Sequence, residues 1–275
     1  MIQRTLTGVT VAGLTVALVL YGSGTLQQLV CLMAAALAFR EFDRMFFPAP
    51  SVARQLRELF LGCLAILVMR SSMGMAWVFL WLPLFVTAIQ VLLRAGKGPD
   101  DFERSTRGIA LEILGVYYVV STVGFLMPTV EVDPFGRQYL LLLFFVVFAG
   151  DTFAYFVGSL WGRRKLARAI SPKKSVEGAA GAIAGAMLFA VLWALFIYTG
   201  DKNRYFWVTL LSMVPLVSIL AQLGDLFESL LKRSCAQKDS GHLLPGHGGI
   251  LDRIDGLTFT APLFYFWVRY FWGTA

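Results

Sequence analysis

The chain has 275 residues, 57% of them hydrophobic and only 15% charged, where soluble domains carry about 25% charged residues. With a mean hydropathy of +0.69, this excludes a soluble globular domain and points to an all-α polytopic membrane protein. The net charge of +7 would suit nucleic acid. Its cations, however, sit in short loops between apolar runs, the pattern set by membrane topology and anionic headgroups, so no nucleic-acid partner is expected.

Nine apolar runs are expected to form helical spans: 6–22, 25–46, 56–70, 74–94, 107–128, 138–161, 177–199, 205–232 and 250–273. The first has a thin basic flank, Arg4 alone, and no small-residue cleavage site, so it reads as a retained span. Cys31, Cys63 and Cys235 form no disulfide or zinc spacing. With the N-terminus inside, the Lys and Arg residues falling outside are Arg70, Arg137, Lys202, Arg204 and Arg269. All the others of the 24 fall inside. That asymmetry follows the positive-inside rule and supports both nine spans and a cytoplasmic N-terminus with the C-terminus outside. Tyr205-Phe206-Trp207 and Tyr270-Phe271-Trp272 then lie at the outer edge as an interfacial belt.

Residues 47–58 begin with prolines and turn amphipathic, a pattern for a short interfacial helix. Residues 95–106 read as an inner loop. Glu112, a turn inside the fifth span, reads as a snorkelling or paired carboxylate. The division expected is 1–128, holding about five spans, and 129–275, holding about four spans with inner loops 162–178 and 233–251. The polar residues concentrate in the second part.

The sixth span carries Asp151 between Phe148 and Phe153. An intramembrane carboxylate is costly and rarely idle, so Asp151 is read as a site wall. The loop that follows holds Arg163, Arg164, Lys165, Arg168, Lys173 and Lys174. In Ser171-Pro172-Lys173-Lys174-Ser175, Ser171 is expected to be an N-cap and Pro172 the first helical residue. Lys173 and Lys174 would then stand at a helix N-terminus, a seat for phosphate. Gly181 and Gly185 in the seventh span predict close helix packing, within the chain or across a homodimer.

Residues 222–256 hold the densest mixture of carboxylates, cations and glycines. Asp225, Glu228 and Ser229 share one helix face, and Lys232 continues the stripe. Asp252 and Asp255 repeat a three-residue spacing where the last apolar run starts. Hard oxygen ligands of this kind suit Mg²⁺, which takes one or two carboxylates and completes its shell with water and phosphate.

The order Ser229, Lys232-Arg233, Lys238-Asp239, Gly241, Leu244-Pro245, His247-Gly248-Gly249, Asp252-Arg253 and Asp255 resembles the CDP-diacylglycerol synthase (phosphatidate cytidylyltransferase) family. A match of this length is specific. The segment Ser171–Gly178 is similar to a second family segment, with Ser175 for the usual Thr and Val176 for the common Trp. Gly150-Asp151 is similar to a third. The resemblance covers 150–256 well and the first half only in hydrophobicity.

The resemblance implies CTP and phosphatidate as substrates and CDP-diacylglycerol with pyrophosphate as products, at the cytoplasmic face of the cell's inner membrane. It implies catalysis by Asp225, Asp252, Asp255 and Lys232. Mg²⁺, as one ion or two, would be held by Asp225, Asp252 and Asp255, with Asp151 and Glu228 behind them. Ser171, Lys173, Lys174, Ser175, Arg233, Lys238, His247, Gly248, Gly249 and Arg253 would bind substrate; His242 has no assignment. A transporter or channel using the same carboxylates is the rival from another class, but the odd span number and lack of an inverted repeat speak against it. A CDP-alcohol phosphatidyltransferase would need an Asp-Gly-x-x-Ala-Arg motif, whereas Asp255-Gly256 is followed by Leu-Thr-Phe-Thr.

Overall fold

The structure is a computed structural model that describes residues 2–47, 56, 85, 89, 99–132, 134–241, 243 and 248–272. Its helices are α1 (Ile2–Tyr21), α2 (Gly24–Phe46), α3 (Pro99–Val130), α4 (Gly136–Trp161), α5 (Val176–Phe196), α6 (Arg204–Ser234) and α7 (Leu251–Trp267), which runs on as a π-helix over Val268–Trp272. Between α4 and α5 stand two short strands, β1 (Lys165–Ala167) and β2 (Ser171–Ser175). Among the described residues, four helical stretches are long and apolar enough to cross a membrane: Thr106–Val130, Gly136–Trp161, Val176–Phe196 and Arg204–Ser234. The spans expected at 56–70 and 74–94, and most of the interfacial helix expected at 47–58, lie outside the described residues.

Local chemistry sets the helix ends. Ser23 caps α2 by accepting from the Leu26 N–H at 3.2 Å. Gln27 Nε2 donates back to the carbonyls of Leu18 and Val19 at 3.0 and 3.2 Å. Arg137 donates to the carbonyls of Leu20 and Gly22 at 2.5 and 3.1 Å. The last carbonyls of α1, which have no partner within the helix, are thereby satisfied. Asn203 caps α6 through the Phe206 N–H at 2.9 Å.

Several details of the sequence reading change. Residues 95–106 do not form a loop throughout, because α3 begins at Pro99; proline's fixed φ and missing N–H suit the first helical position. The helical class holds, with one short addition, the antiparallel pair β1 and β2. Ser171 is not an N-cap. It opens β2, and α5 starts five residues on with Ser175 as its cap, the Gly178 N–H donating to Ser175 Oγ at 3.1 Å. Lys173 and Lys174 are therefore strand residues. Of the two readings of Glu112, snorkelling falls, because the residue is buried in α3, and it is not without a partner there.

The Gly181/Gly185 pair packs within the chain. A Cβ at Gly181 would fall 2.6 Å from Val157 Cβ, and one at Gly185 2.6 Å from Phe153 Cβ, so α4 and α5 touch backbone to side chain. The aromatic belt divides. Tyr205, Tyr270 and Phe271 are exposed, whereas Phe206 and Trp272 are buried. The buried pair joins Tyr139, Trp193 and Tyr198 in a plug, with Phe206–Tyr198 centroids 4.7 Å apart and Phe206–Trp272 centroids 5.3 Å apart. Trp272 Nε1 donates to Thr209 Oγ1 at 2.8 Å, which pays the desolvation of the indole N–H.

Candidate active site

The polar end of the bundle lies opposite this plug. It is formed by the C-terminal turns of α4 and α6, the N-terminal turns of α5 and α7, and the hairpin. Glu177 orders the approach to the hairpin: its carboxylate accepts from the backbone N–H groups of Arg163 at 3.0 Å and Arg164 at 3.2 Å. With α5 capped by Ser175, Lys165, Lys173 and Lys174 are held over the cleft that the α4–α5 pair opens. Arg233 latches the far side, donating to the carbonyls of Ile170 and Gln237 at 3.4 and 3.1 Å.

This cleft has a volume of about 440 Å³ and is lined by Asp151, Lys165, Lys173, Lys174, Gln222 and Asp225, among others. Lys174 pairs with Asp225, whose second oxygen accepts from Ser229 Oγ at 3.4 Å. Three positions expected at the site, Asp151, Lys174 and Asp225, are thus brought together along this cleft by α4, β2 and α6. Thr152 takes no part in satisfying Asp151, because its hydroxyl donates to the Phe148 carbonyl at 2.8 Å.

Behind the cleft lies a buried ionic network. Lys232 Nζ donates to Glu228 Oε2 at 2.7 Å and to Asp252 Oδ1 at 2.6 Å, and all three side chains are largely or fully buried. Lys232 is thereby spent on two carboxylates, and it is not among the described residues that line the cleft. Asp252 is engaged on its other oxygen as well: Oδ2 accepts from Ser240 N and Gly249 N at 3.0 and 2.8 Å and shares the single Ser240 hydroxyl proton, at 3.0 Å, with Glu41. Gly248 has φ of +79°, and a side chain there would run into the Asp252 carboxylate, so this turn requires glycine on two counts.

Sequence reasoning passed over Glu41. This α2 carboxylate is only 7% exposed. It accepts from Ser240 Oγ at 3.0 Å, Ile250 N at 3.0 Å and Leu251 N at 2.9 Å. It therefore satisfies orphan donors at the start of α7 and complements the helix dipole. The only signal was a carboxylate set in an apolar run, since its partners lie about 200 residues away. Glu41→Gln turns one acceptor oxygen into a donor facing N–H groups. It is expected to cost about 1–3 kcal/mol, read as a lower thermal midpoint in detergent with faster amide exchange over 240–251.

The remaining expected residues divide. Ser171 is in the hairpin but is not among the residues lining the cleft. Lys238 lines a separate cavity of about 810 Å³ with Arg40 and Arg44 of α2. His242 and His247 lie outside the described residues. Arg253 is exposed in the first turn of α7, close enough to Asp151 to interact electrostatically.

Among the described residues, no three Asp, Glu, His or Cys side chains are arranged to hold an ion by themselves. Mg²⁺ asks for less, one or two carboxylates with water and phosphate completing the shell. Asp255 interacts electrostatically with Asp225, Glu228 and Asp151. The buried Glu228 Oε1 has no hydrogen-bond partner in the structure, an atom left short of a donor or cation. Asp225 and Asp255, with Asp151 and Glu228 around them, are therefore the carboxylates left for such an ion, whereas both oxygens of Asp252 are already engaged, one by Lys232 and the other by Ser240 and Gly249.

A helical membrane body whose polar cleft sets lysines against carboxylates suits an enzyme handling phosphates at a bilayer. The chain belongs to the cytidylyltransferase family, whose model matches residues 2–271. It is 36% identical over 183 residues to the phosphatidate cytidylyltransferase of Thermotoga maritima, covering 66% of each chain. It is 40% identical over 158 residues to the Bacillus subtilis protein of that name (58% of this chain, 57% of the relative). With the one from Staphylococcus saprophyticus it shares 33% over 244 residues, covering 80% of this chain and 92% of the relative.

Proposed function

We propose that the protein transfers the cytidylyl group of CTP to phosphatidate, giving CDP-diacylglycerol and pyrophosphate. The observation that carries this reading is the cleft itself, with Lys165, Lys173 and Lys174 facing Asp151 and Asp225 in a chain of this family. A phosphate oxygen of phosphatidate attacks the α-phosphorus of CTP. One P–O bond forms, the bond to the β-phosphate bridge breaks, and pyrophosphate leaves. The nucleophile is already anionic, so the chain's task is to bring polyanions together and stabilise the leaving group.

Lys165 and Lys173 grip the nucleotide phosphates, and Lys174 can exchange its bond to Asp225 for one to phosphate. Lys232 and Asp252 hold the loop and α7 in register and do not touch substrate. Asp225 and Asp255, with Asp151 beside them, would hold Mg²⁺, which supplies charge neutralisation for the nucleotide when bound. Ser175 and Glu177 fix the hairpin, and the turn at Gly248-Gly249 lets backbone approach a phosphate. We read the fold as nine spans with a cytoplasmic N-terminus, so the cleft opens toward cytosolic CTP at the inner face of the cell membrane.

Purified protein with Mg²⁺, phosphatidate and radiolabelled CTP is expected to yield a cytidine-labelled lipid. The absence of labelled lipid with every divalent ion tried would end this reading.

A further inference from the structure

A third cavity, of about 260 Å³, runs between α1, α2, α3, α4 and α7. Its walls are almost wholly apolar, including Val19, Val30, Cys31, Phe144, Ile254 and Leu257. Among the described residues that line it, Arg253 is the only one with a charge. From Val11 to Leu18 the lining follows α1 for two turns, about 10 Å, room for a stretch of hydrocarbon chain.

The charged end makes this more than a gap filled by neighbouring lipid. The Arg253 side chain has no hydrogen-bond or ion-pair partner among the described residues. A guanidinium at the rim of an apolar groove in a membrane needs an anion, and its planar fork suits phosphate bidentately. It also lies within electrostatic range of Asp151, a wall of the reaction cleft, while Phe148, one turn earlier on α4, lines the groove. Arg253 therefore stands where the apolar groove meets the polar cleft.

We infer that this groove is the seat of the lipid substrate: one acyl chain of phosphatidate lies between α1, α2, α4 and α7, and its phosphate is held by Arg253 at the edge of the cleft. The inference rests on the activity proposed above and adds where the lipid enters, from the side of the bundle bounded by the first two helices.

The test uses the full-length protein in phosphatidylcholine nanodiscs and phosphatidate carrying a diazirine in its acyl chain. Photolysis without CTP is expected to mark peptides of α1, α2, α3, α4 or α7 that line the groove. Ala34→Phe, which narrows it, is expected to weaken that labelling. It should raise KM for long-chain phosphatidate about tenfold, the scale of an altered hydrophobic pocket, with KM for CTP and for dihexanoyl phosphatidate little changed. Arg253→Gln should raise KM for both lipids, and Arg253→Lys should recover part of the loss. Labelling confined to other segments, with KM for long-chain lipid unmoved in a protein that still makes labelled product, overturns the groove and leaves the activity standing. A protein that makes no product refutes the activity, and the photolabelling without CTP still reports on the groove. If Ala34→Phe does not fold, Val30→Phe and the wild-type labelling map decide.

Discussion

Replacing Lys232 with methionine is expected to cost about 3–5 kcal/mol of folding free energy, because the substitution leaves two buried carboxylates without their cation. Glu228 is fully buried and Asp252 nearly so, and water cannot replace the ammonium that sits 2.7 and 2.6 Å from them. The loss should appear as a steep fall in thermal midpoint and in yield of folded protein in detergent. Adding Glu228→Gln to Lys232→Met removes one of the stranded charges and is expected to recover a large part of the midpoint. Asp252 then still keeps its donors from Ser240 and Gly249. An unchanged midpoint in the single variant would show that the network is not what holds α6 to α7.

The second large effect separates two aspartates that look alike in the sequence. Asp255→Asn is expected to lower kcat about 10²–10³-fold, the scale of losing one preorganised electrostatic group. It should not lower the thermal midpoint, because Asp255 lies among the like charges of Asp225, Glu228 and Asp151. Asp252→Asn should do the reverse in emphasis. Its amide would turn a donor toward Lys232 or toward the Ser240 and Gly249 N–H groups, so stability falls and activity is lost through disorder of the loop. Paired measurements of unfolding and turnover over an Mg²⁺ titration check both. Full turnover in Asp255→Asn would remove it from the site, and a stable, active Asp252→Asn would undo its structural assignment.

Much of this was legible in the chain. Long apolar runs gave α1, α2 and α3–α7 to within a few residues for most, because a span must satisfy its backbone internally. The spacing of Asp225, Glu228 and Lys232 placed them on one face. What escaped was long-range or marginal. Nothing near Glu41 announces donors on the far side of the chain. Ser171-Pro172 carries a cap signal, but pairing of Lys165 with Ser175 and Ala167 with Ser171 makes that segment a strand and moves the cap to Ser175. Lys232 reads as a phosphate grip until its two carboxylate neighbours are seen to enclose it. Phe206 and Trp272 read as surface anchors because composition cannot tell which side of a helix faces the bundle.

The aromatic plug has a consequence for the membrane as an electrical barrier. On α6 alone, Phe206 and Asp225 are 19 residues apart, about 28 Å of helix, nearly the full hydrocarbon thickness. Rings of Tyr139, Trp193, Tyr198, Phe206 and Trp272 fill that distal end. A charged chamber of this depth could otherwise drain the proton gradient. Corked at one end, it admits and discharges its cargo through a single mouth, and the bilayer remains an insulator while polyanions react near the face opposite the plug.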